Sequence, residues 1–299
     1  MNRTIRLSLA VLTAAWIPSL PAADWEPLWP AGAPGATGTT DNDIPALLAY
    51  PAAKEIANGC AVLVCPGGGY GGLAMDHEGH QIAAWMNERG ISAWILRYRL
   101  GTHGYHHPTQ RNDVLRAIRV IRHHAGSHAI DPHRIGIMGF SAGGHLASTA
   151  ATHFDSGDAT ATDPIEMVSS RPDFAILCYP VITMDESFTH KGSRTNLLGN
   201  AHYNDSALVE LLSNEKRVTK ETPPTFLFHT TEDLAVPVEN AIAFYSALRK
   251  SGVQASELHV YQKGVHGVGL ALSDKTLSSW PERLHDWLTN NEFVPPRAP

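Results

Sequence analysis

Cysteine is scarce, with three in 299 residues. An odd trio does not make a disulfide framework. Cys60 and Cys65 flank one apolar run, and an extended strand rising about 3.3 Å per residue would hold them roughly 16 Å apart, beyond bridging distance. Cys178 lies in a separate apolar run, so all three read as small buried hydrophobes. Charge is sparse as well: 17% of residues, a net −6, and no cluster of lysine or arginine. Nucleic acid and anionic membrane are therefore poor partners for this surface. The chain has no apolar run long enough to span a bilayer, no repeat and no low-complexity tract. His77-Glu78-Gly79-His80 falls one place short of H-E-x-x-H, so no zinc helix is supported and no metal is expected.

What is present begins with a leader. Arg3 and Arg6 precede an apolar stretch from Leu7 to Leu20, and Leu20-Pro-Ala-Ala23 ends in small residues before Asp24. That is the order of a secretory signal peptide. The expectation is removal of residues 1–23 and export of one soluble domain, 24–299, to the periplasm or beyond. No cysteine stands near the cleavage point to take a lipid anchor.

Apolar runs then alternate with helical patterns. Strands are expected at Ile44–Tyr50, Cys60–Cys65, Ile91–Tyr98, Ile135–Met138, Phe174–Tyr179, Thr225–His229 and Glu257–Tyr261. Helices are expected at Gly79–Arg89, Asn112–His124, Ala142–Ala151, Val238–Ser251 and Leu277–Asn290, where apolar residues recur at helical spacing. Alternation of this kind predicts an α/β fold: a mostly parallel sheet with helices on both faces. Asp155–Pro172 and Thr183–Pro223 break the alternation and read as loops over the sheet edge.

The chain is organised around Gly139-x-Ser141-x-Gly143, a G-x-S-x-G pattern between a β-branched run and an alanine-rich helix. That strand–turn–helix context makes Ser141 a candidate nucleophile, held at a helix N-terminus where negative charge is favoured. Gly67-x-Gly69-x-x-Gly72 also matches a dinucleotide fingerprint, but the next strand ends Arg97-Tyr98-Arg99 with no acid to hold a ribose. The glycine run reads better as an oxyanion loop. Gly68 and Gly69 would supply backbone N–H groups from one side and Ala142 from the other.

An acid and a histidine should follow the serine in that order. After the Thr225–His229 run, Glu232 and Asp233 compete, and the Asp-x-x-Val-Pro spacing into the next helix favours Asp233. After the Glu257–Tyr261 run comes His266, flanked by Gly264 and Gly267, in place for a general base. His103, His106 and His107 read as surface residues, His145 as packing, and Asp113 and Arg116 as partners within their own helix.

Pro66-Gly-Gly-Gly-Tyr70, Arg97-Tyr-Arg99, His107-Pro108, Gly139-Phe-Ser-Ala-Gly-Gly-His-Leu-Ala147, Pro223-Pro-Thr-Phe226 and Val265-His-Gly267 together resemble the α/β-hydrolase esterases. The nearest group is the acetylesterases that include acetylxylan and bifunctional acetylxylan/feruloyl esterases. The resemblance spans about residues 25–290. It implies a Ser141–Asp233–His266 triad, oxyanion donors near Gly68, Gly69 and Ala142, no cofactor, and a small or polysaccharide ester as substrate. Pro66 stands where related lipases often have histidine.

The expected activity is hydrolysis of short acyl esters, acetyl above all, on plant polysaccharide. Tyr70 directly follows the glycine run and is the expected wall of the acyl pocket. A feruloyl esterase, a short-chain carboxylesterase or lipase, and a non-catalytic carbohydrate-binding module on a hydrolase fold are the rival readings.

Overall fold

The apolar runs of the sequence become the interior of a sheet. The computed structural model of the chain describes residues 24–296, so the expected leader lies outside the described residues. The strands are β1 (Glu26–Pro27), β2 (Ala46–Tyr50), β3 (Ala61–Cys65), β4 (Ser92–Arg97), β5 (Ile135–Phe140), β6 (Phe174–Cys178), β7 (Thr225–Thr230) and β8 (Glu257–Tyr261). The helices are α1 (Gln81–Asn87), α2 (Thr109–His123), α3 (Ala142–Thr152), α4 (Lys191–Leu198), α5 (Ser206–Leu212), α6 (Glu239–Lys250) and α7 (Trp280–Asn290). The sheet order is β1-β2-β4-β3-β5-β6-β7-β8. From β4 across to β8 every pairing is parallel. At the other edge, β1 and β2 run antiparallel to their neighbours.

Parallel strands need crossovers, and crossovers place helices on both faces. Side chains along a strand alternate between those faces. Leu63 and Cys65 of β3, Leu177 of β6 and Leu227 of β7 pack with Val114 and Ile118 of α2, Leu146 of α3 and Phe244 of α6. Val62, Val64, Ile176 and Phe228 point the other way, to Ile82 and Met86 of α1 and Trp280, Leu284 and Leu288 of α7. The three cysteines are buried and unpaired within these layers, as their scarcity predicts. Residues 183–223 leave the carboxyl end of β6, the side where an open α/β sheet places its ligand crevice, whereas residues 155–173 lead from the end of α3 to the start of β6, at the opposite end of the strands.

Three expectations change. Residues 183–223 are not a bare loop: they carry α4 and α5. The helix expected from Gly79 begins earlier, as a π-helical turn at Asp76–His80 that runs into α1. Asp113 and Arg116 do not pair within α2. Asp113 is fully buried, where a carboxylate is costly without an opposite charge, and it takes the Arg99 backbone N–H and guanidinium, the closest contact at 2.6 Å. Arg116 reaches out to Asp163 and Glu166, each at 2.7 Å. Arg119 holds Asp155 and Arg122 holds Asp173, so one face of α2 straps down the irregular 155–173 segment. No helix among the described residues is long and apolar enough to cross a membrane.

Candidate active site

β5 delivers Ser141 into a turn so tight that its backbone sits at φ 54°, ψ −121°. A non-glycine residue there is strained and persists only where its surroundings hold it. Both of its backbone groups are pinned: Ser141 N–H donates to Cys178 O at 3.1 Å, and Val181 N–H donates to Ser141 O at 3.0 Å. The flanking glycines of the pattern have a steric cause. A Cβ on Gly139 would lie 2.1 Å from Gly143 O, and one on Gly143 would lie 2.1 Å from Cys65 O. Strand, turn and α3 touch backbone to backbone, so the hydroxyl is thrust out at the sheet's carboxyl edge.

Two loops bring the other side chains to it. His266, in the loop after β8, places Nε2 2.8 Å from Ser141 Oγ. Its Nδ1 lies 2.6 Å from Asp233 Oδ2, in the loop after β7. The carboxylate is 1% exposed and the imidazole 22%. Asp233 Oδ1 accepts the N–H groups of Ala235 and Val236, each at 2.9 Å. Burial pushes the Asp233 carboxyl up, but hydrogen bonds from His229, His266 and Val236 N–H outweigh it and hold the group well below the usual carboxylate range. Asp233 therefore stays an anion facing Nδ1–H. Glu232, the rival acid, is exposed.

The glycine loop after β3 lies against the elbow. Gly68 O accepts from Gly71 and Gly72 N–H, and Tyr70 O accepts from Gly101 N–H at 2.8 Å. Gly69 O accepts from Asn196 Nδ2 of α4 at 2.8 Å. With the carbonyls taken, the N–H groups of Gly68, Gly69 and Ala142 have no protein acceptor among the described residues. They are donors available to an oxyanion.

Tyr70 is a correction. Its ring is 0% exposed, so it walls no open pocket. The backbone at Tyr70 takes φ 57°, and the side chain drives inward to donate its hydroxyl to His145 Nδ1 at 2.8 Å and to pack edge-on against Tyr98. His145 passes the contact on, donating from Nε2 to Leu212 O, and its burial pushes the imidazole down to about 4. Tyr70 is core. Tyr70→Ala should lower the unfolding free energy by about 3–5 kcal/mol, measured by urea denaturation.

Two histidines escaped the sequence reading. His229, the fifth residue of β7, is fully buried and lies with Nε2 2.9 Å from Val236 O and 3.4 Å from Asp233 Oδ2. A carbonyl only accepts, so Nε2 carries the proton, and Asp233 is flanked by two imidazole N–H groups. The sequence signal was its place at a strand end, four residues before the acid. His190 caps α4 by accepting Ser193 N–H at Nδ1, which leaves its proton on Nε2. A Cβ on Gly69 would lie 3.8 Å from His190 Cε1, so this ring borders the glycine loop. Burial pushes His190 down. The loop that carries His266 also borders a surface cleft of about 460 Å³ with a mixed lining that includes Gln81, Val265, Leu272, Ser273 and Asp274, but neither Ser141 nor His266.

Fold, elbow and the hydrogen-bonded trio define an α/β-hydrolase of the esterase class. The chain belongs to the BD-FAE family, whose model matches residues 48–248. It is 39% identical over 236 residues to the acetylxylan esterase of Xylanibacter ruminicola, covering 78% of this chain and 46% of that one. It is likewise 39% identical to endo-1,4-beta-xylanase B of Butyrivibrio fibrisolvens, covering 79% of this chain and 36% of that protein. The chain thus spans less than half the length of these two relatives. The acetyl ester-xyloside bifunctional hydrolase from Caldicellulosiruptor lactoaceticus superposes with a TM-score of 0.84 at 42% identity, over 93% of this chain and 100% of that one.

Proposed function

We propose that the chain is an exported serine esterase that removes short acyl groups, acetyl first among them, from plant polysaccharide or its fragments. The observation that carries the reading is the Asp233–His266–Ser141 hydrogen-bond line ending beside three unclaimed backbone N–H groups. In this mechanism Ser141 Oγ bonds to the ester carbonyl carbon as its proton passes to His266 Nε2. The carbonyl oxygen becomes an oxyanion facing the N–H groups of Gly68, Gly69 and Ala142. Collapse expels the alcohol, which takes the proton from His266, and leaves an acyl-serine. Water, deprotonated by His266, attacks that ester and frees the acid. Asp233 keeps the imidazole in the tautomer that can accept at Nε2 and stabilises the imidazolium between the two proton transfers.

The names of the relatives support acetylated xylan as the polymer. A second, rival reading that shares this chemistry is feruloyl esterase, with an aromatic acyl group in place of acetyl. A substrate panel separates them: acetylated xylan, glucomannan and pectin, feruloylated arabinoxylan, methyl ferulate, and p-nitrophenyl esters from acetate to octanoate. The expected result is dominant acetate release from xylan, with kcat/KM falling along the ester series. Each methylene that finds no seat forfeits about 0.8 kcal/mol of burial. Dominant ferulate release would install the second reading, and rates rising toward octanoate would favour a lipase. Binding to xylan without turnover of any ester would leave a carbohydrate-binding module.

A further inference from the structure

Behind the trio lies a buried carboxylate that the esterase cycle does not use. Glu78, in the π-helical turn, is 2% exposed. Its one ion-pair contact among the described residues is with His77, whose Nε2 lies 3.8 Å from Oε1. A buried carboxylate so weakly matched in charge must be satisfied by hydrogen bonds. Its two oxygens are divided between different parts of the site.

Oε2 accepts Gly67 N–H at 2.8 Å. Gly67 opens the oxyanion loop and lies so close to the elbow that a Cβ there would stand 2.9 Å from Ser141 Cβ and 2.6 Å from Glu78 Oε2. Oε1 accepts the Tyr179 hydroxyl at 2.9 Å. That hydroxyl in turn accepts Gly269 N–H at 3.0 Å, three residues beyond His266. The Tyr179 ring stands edge-on to the His266 imidazole, 5.0 Å between centroids. Tyr179 itself follows β6 at φ 36°, a strained backbone that this contact helps to hold. One carboxylate therefore fastens the loop after β3, the turn after β6 and the loop after β8.

We propose that Glu78 is a positioning residue for His266 and the oxyanion loop, and that its negative charge supports the imidazolium formed when Ser141 gives up its proton. The proposal rests on His266 being the general base. Around Glu78 stand His77, Tyr98, Cys178, Tyr179 and, within Coulombic reach, His266. Around His266 stand Asp233, Ser141, Tyr179 and His190. Asp233 and Glu78 are the two anions of this set. Burial pushes the Glu78 carboxyl above its ordinary value, while Tyr179 and Gly67 pull it back.

The test uses the full chain with p-nitrophenyl acetate, pH profiles of kcat/KM, and the rate of fluorophosphonate labelling at Ser141. Glu78→Gln keeps the shape and removes the charge. It should lower kcat by roughly 10–100-fold, the scale of a misplaced catalytic group, with KM changed less than about threefold. The acid limb of kcat/KM should move to lower pH by about half a unit or more, because His266 loses an anion. Glu78→Asp should bring that limb back toward the wild-type position. Should Glu78→Gln fail to fold, Tyr179→Phe carries the test: it cuts the bridge to Gly269 and should slow labelling of Ser141 by a similar factor. An unmoved acid limb in folded Glu78→Gln, or labelling of folded Tyr179→Phe at the wild-type rate, would overturn the proposal. Failure of the esterase reading looks different, since the wild-type protein would then neither turn over the ester nor take the label.

Discussion

Ser141→Ala should leave a folded protein whose kcat is lower by about 10⁵–10⁶. The substitution removes one oxygen and keeps the Cβ, so the strained backbone at φ 54° and its backbone hydrogen bonds are undisturbed. What is lost is the atom that would form the acyl bond. His266 and the unclaimed N–H groups remain, and they would still polarise a bound ester toward water, which sets the floor of residual activity. A fluorophosphonate probe should attach to Ser141 in the wild type and to no residue of the variant. Ser148 is the nearest rival on α3, but it is fully buried, with its hydroxyl committed to His145 O and Asn214. Activity surviving the substitution, or a label found at Ser148, would remove the nucleophile assignment.

Asp233→Asn should lower kcat by about 10⁴. The structure fixes which way the new amide faces. Two backbone N–H groups, from Ala235 and Val236, point at the Oδ1 position and require an oxygen there. The amide nitrogen must then occupy the Oδ2 position, donors first, toward His266 Nδ1 at 2.6 Å and His229 Nε2 at 3.4 Å. His266 can answer only by presenting a bare Nδ1 and carrying its proton on Nε2. That is the tautomer that cannot take a proton from Ser141. His229 has no such escape, since its Nε2–H is committed to Val236 O. Glu232→Gln, on an exposed side chain one residue away, should change kcat little. A reversal of the two effects in steady-state assays would shift the acid by one position.

Much of this architecture is legible in the sequence because its signals are local. The apolar runs alternate with helical patterns, and Ser141, Asp233 and His266 each fall just past the end of a strand in chain order. The glycines at 139 and 143 announce a close approach that the backbone then makes. What the sequence hides depends on long-range contacts or on backbone direction. Tyr70 stands next to the glycines, yet its positive φ turns the ring into the core. Glu78 meets Tyr179 across 101 residues of chain and Asp113 meets Arg99 from a different element, so neither pair has a local pattern. α4 and α5 are eight and seven residues long, too short for a clear apolar period. α4 is capped by a histidine in place of the usual short polar residue. α5 does carry a readable start, since Asp205 accepts the N–H groups of Ala207 and Leu208.

The two-residue strand β1 has a consequence far from the chemistry. It pairs Glu26 and Pro27 with Leu47 and Ala46 and thereby occupies the outer rim of the sheet. Proline has no N–H to offer an incoming chain, and a charged residue beside it further discourages pairing. Removal of a leader after Ala23 would leave this guard at the very start of the processed polypeptide. Exoproteolytic trimming by only a few residues would uncover the sheet edge at Ala46 and Leu47 and open it to pairing with another chain, at a rim remote from the hydrolytic centre.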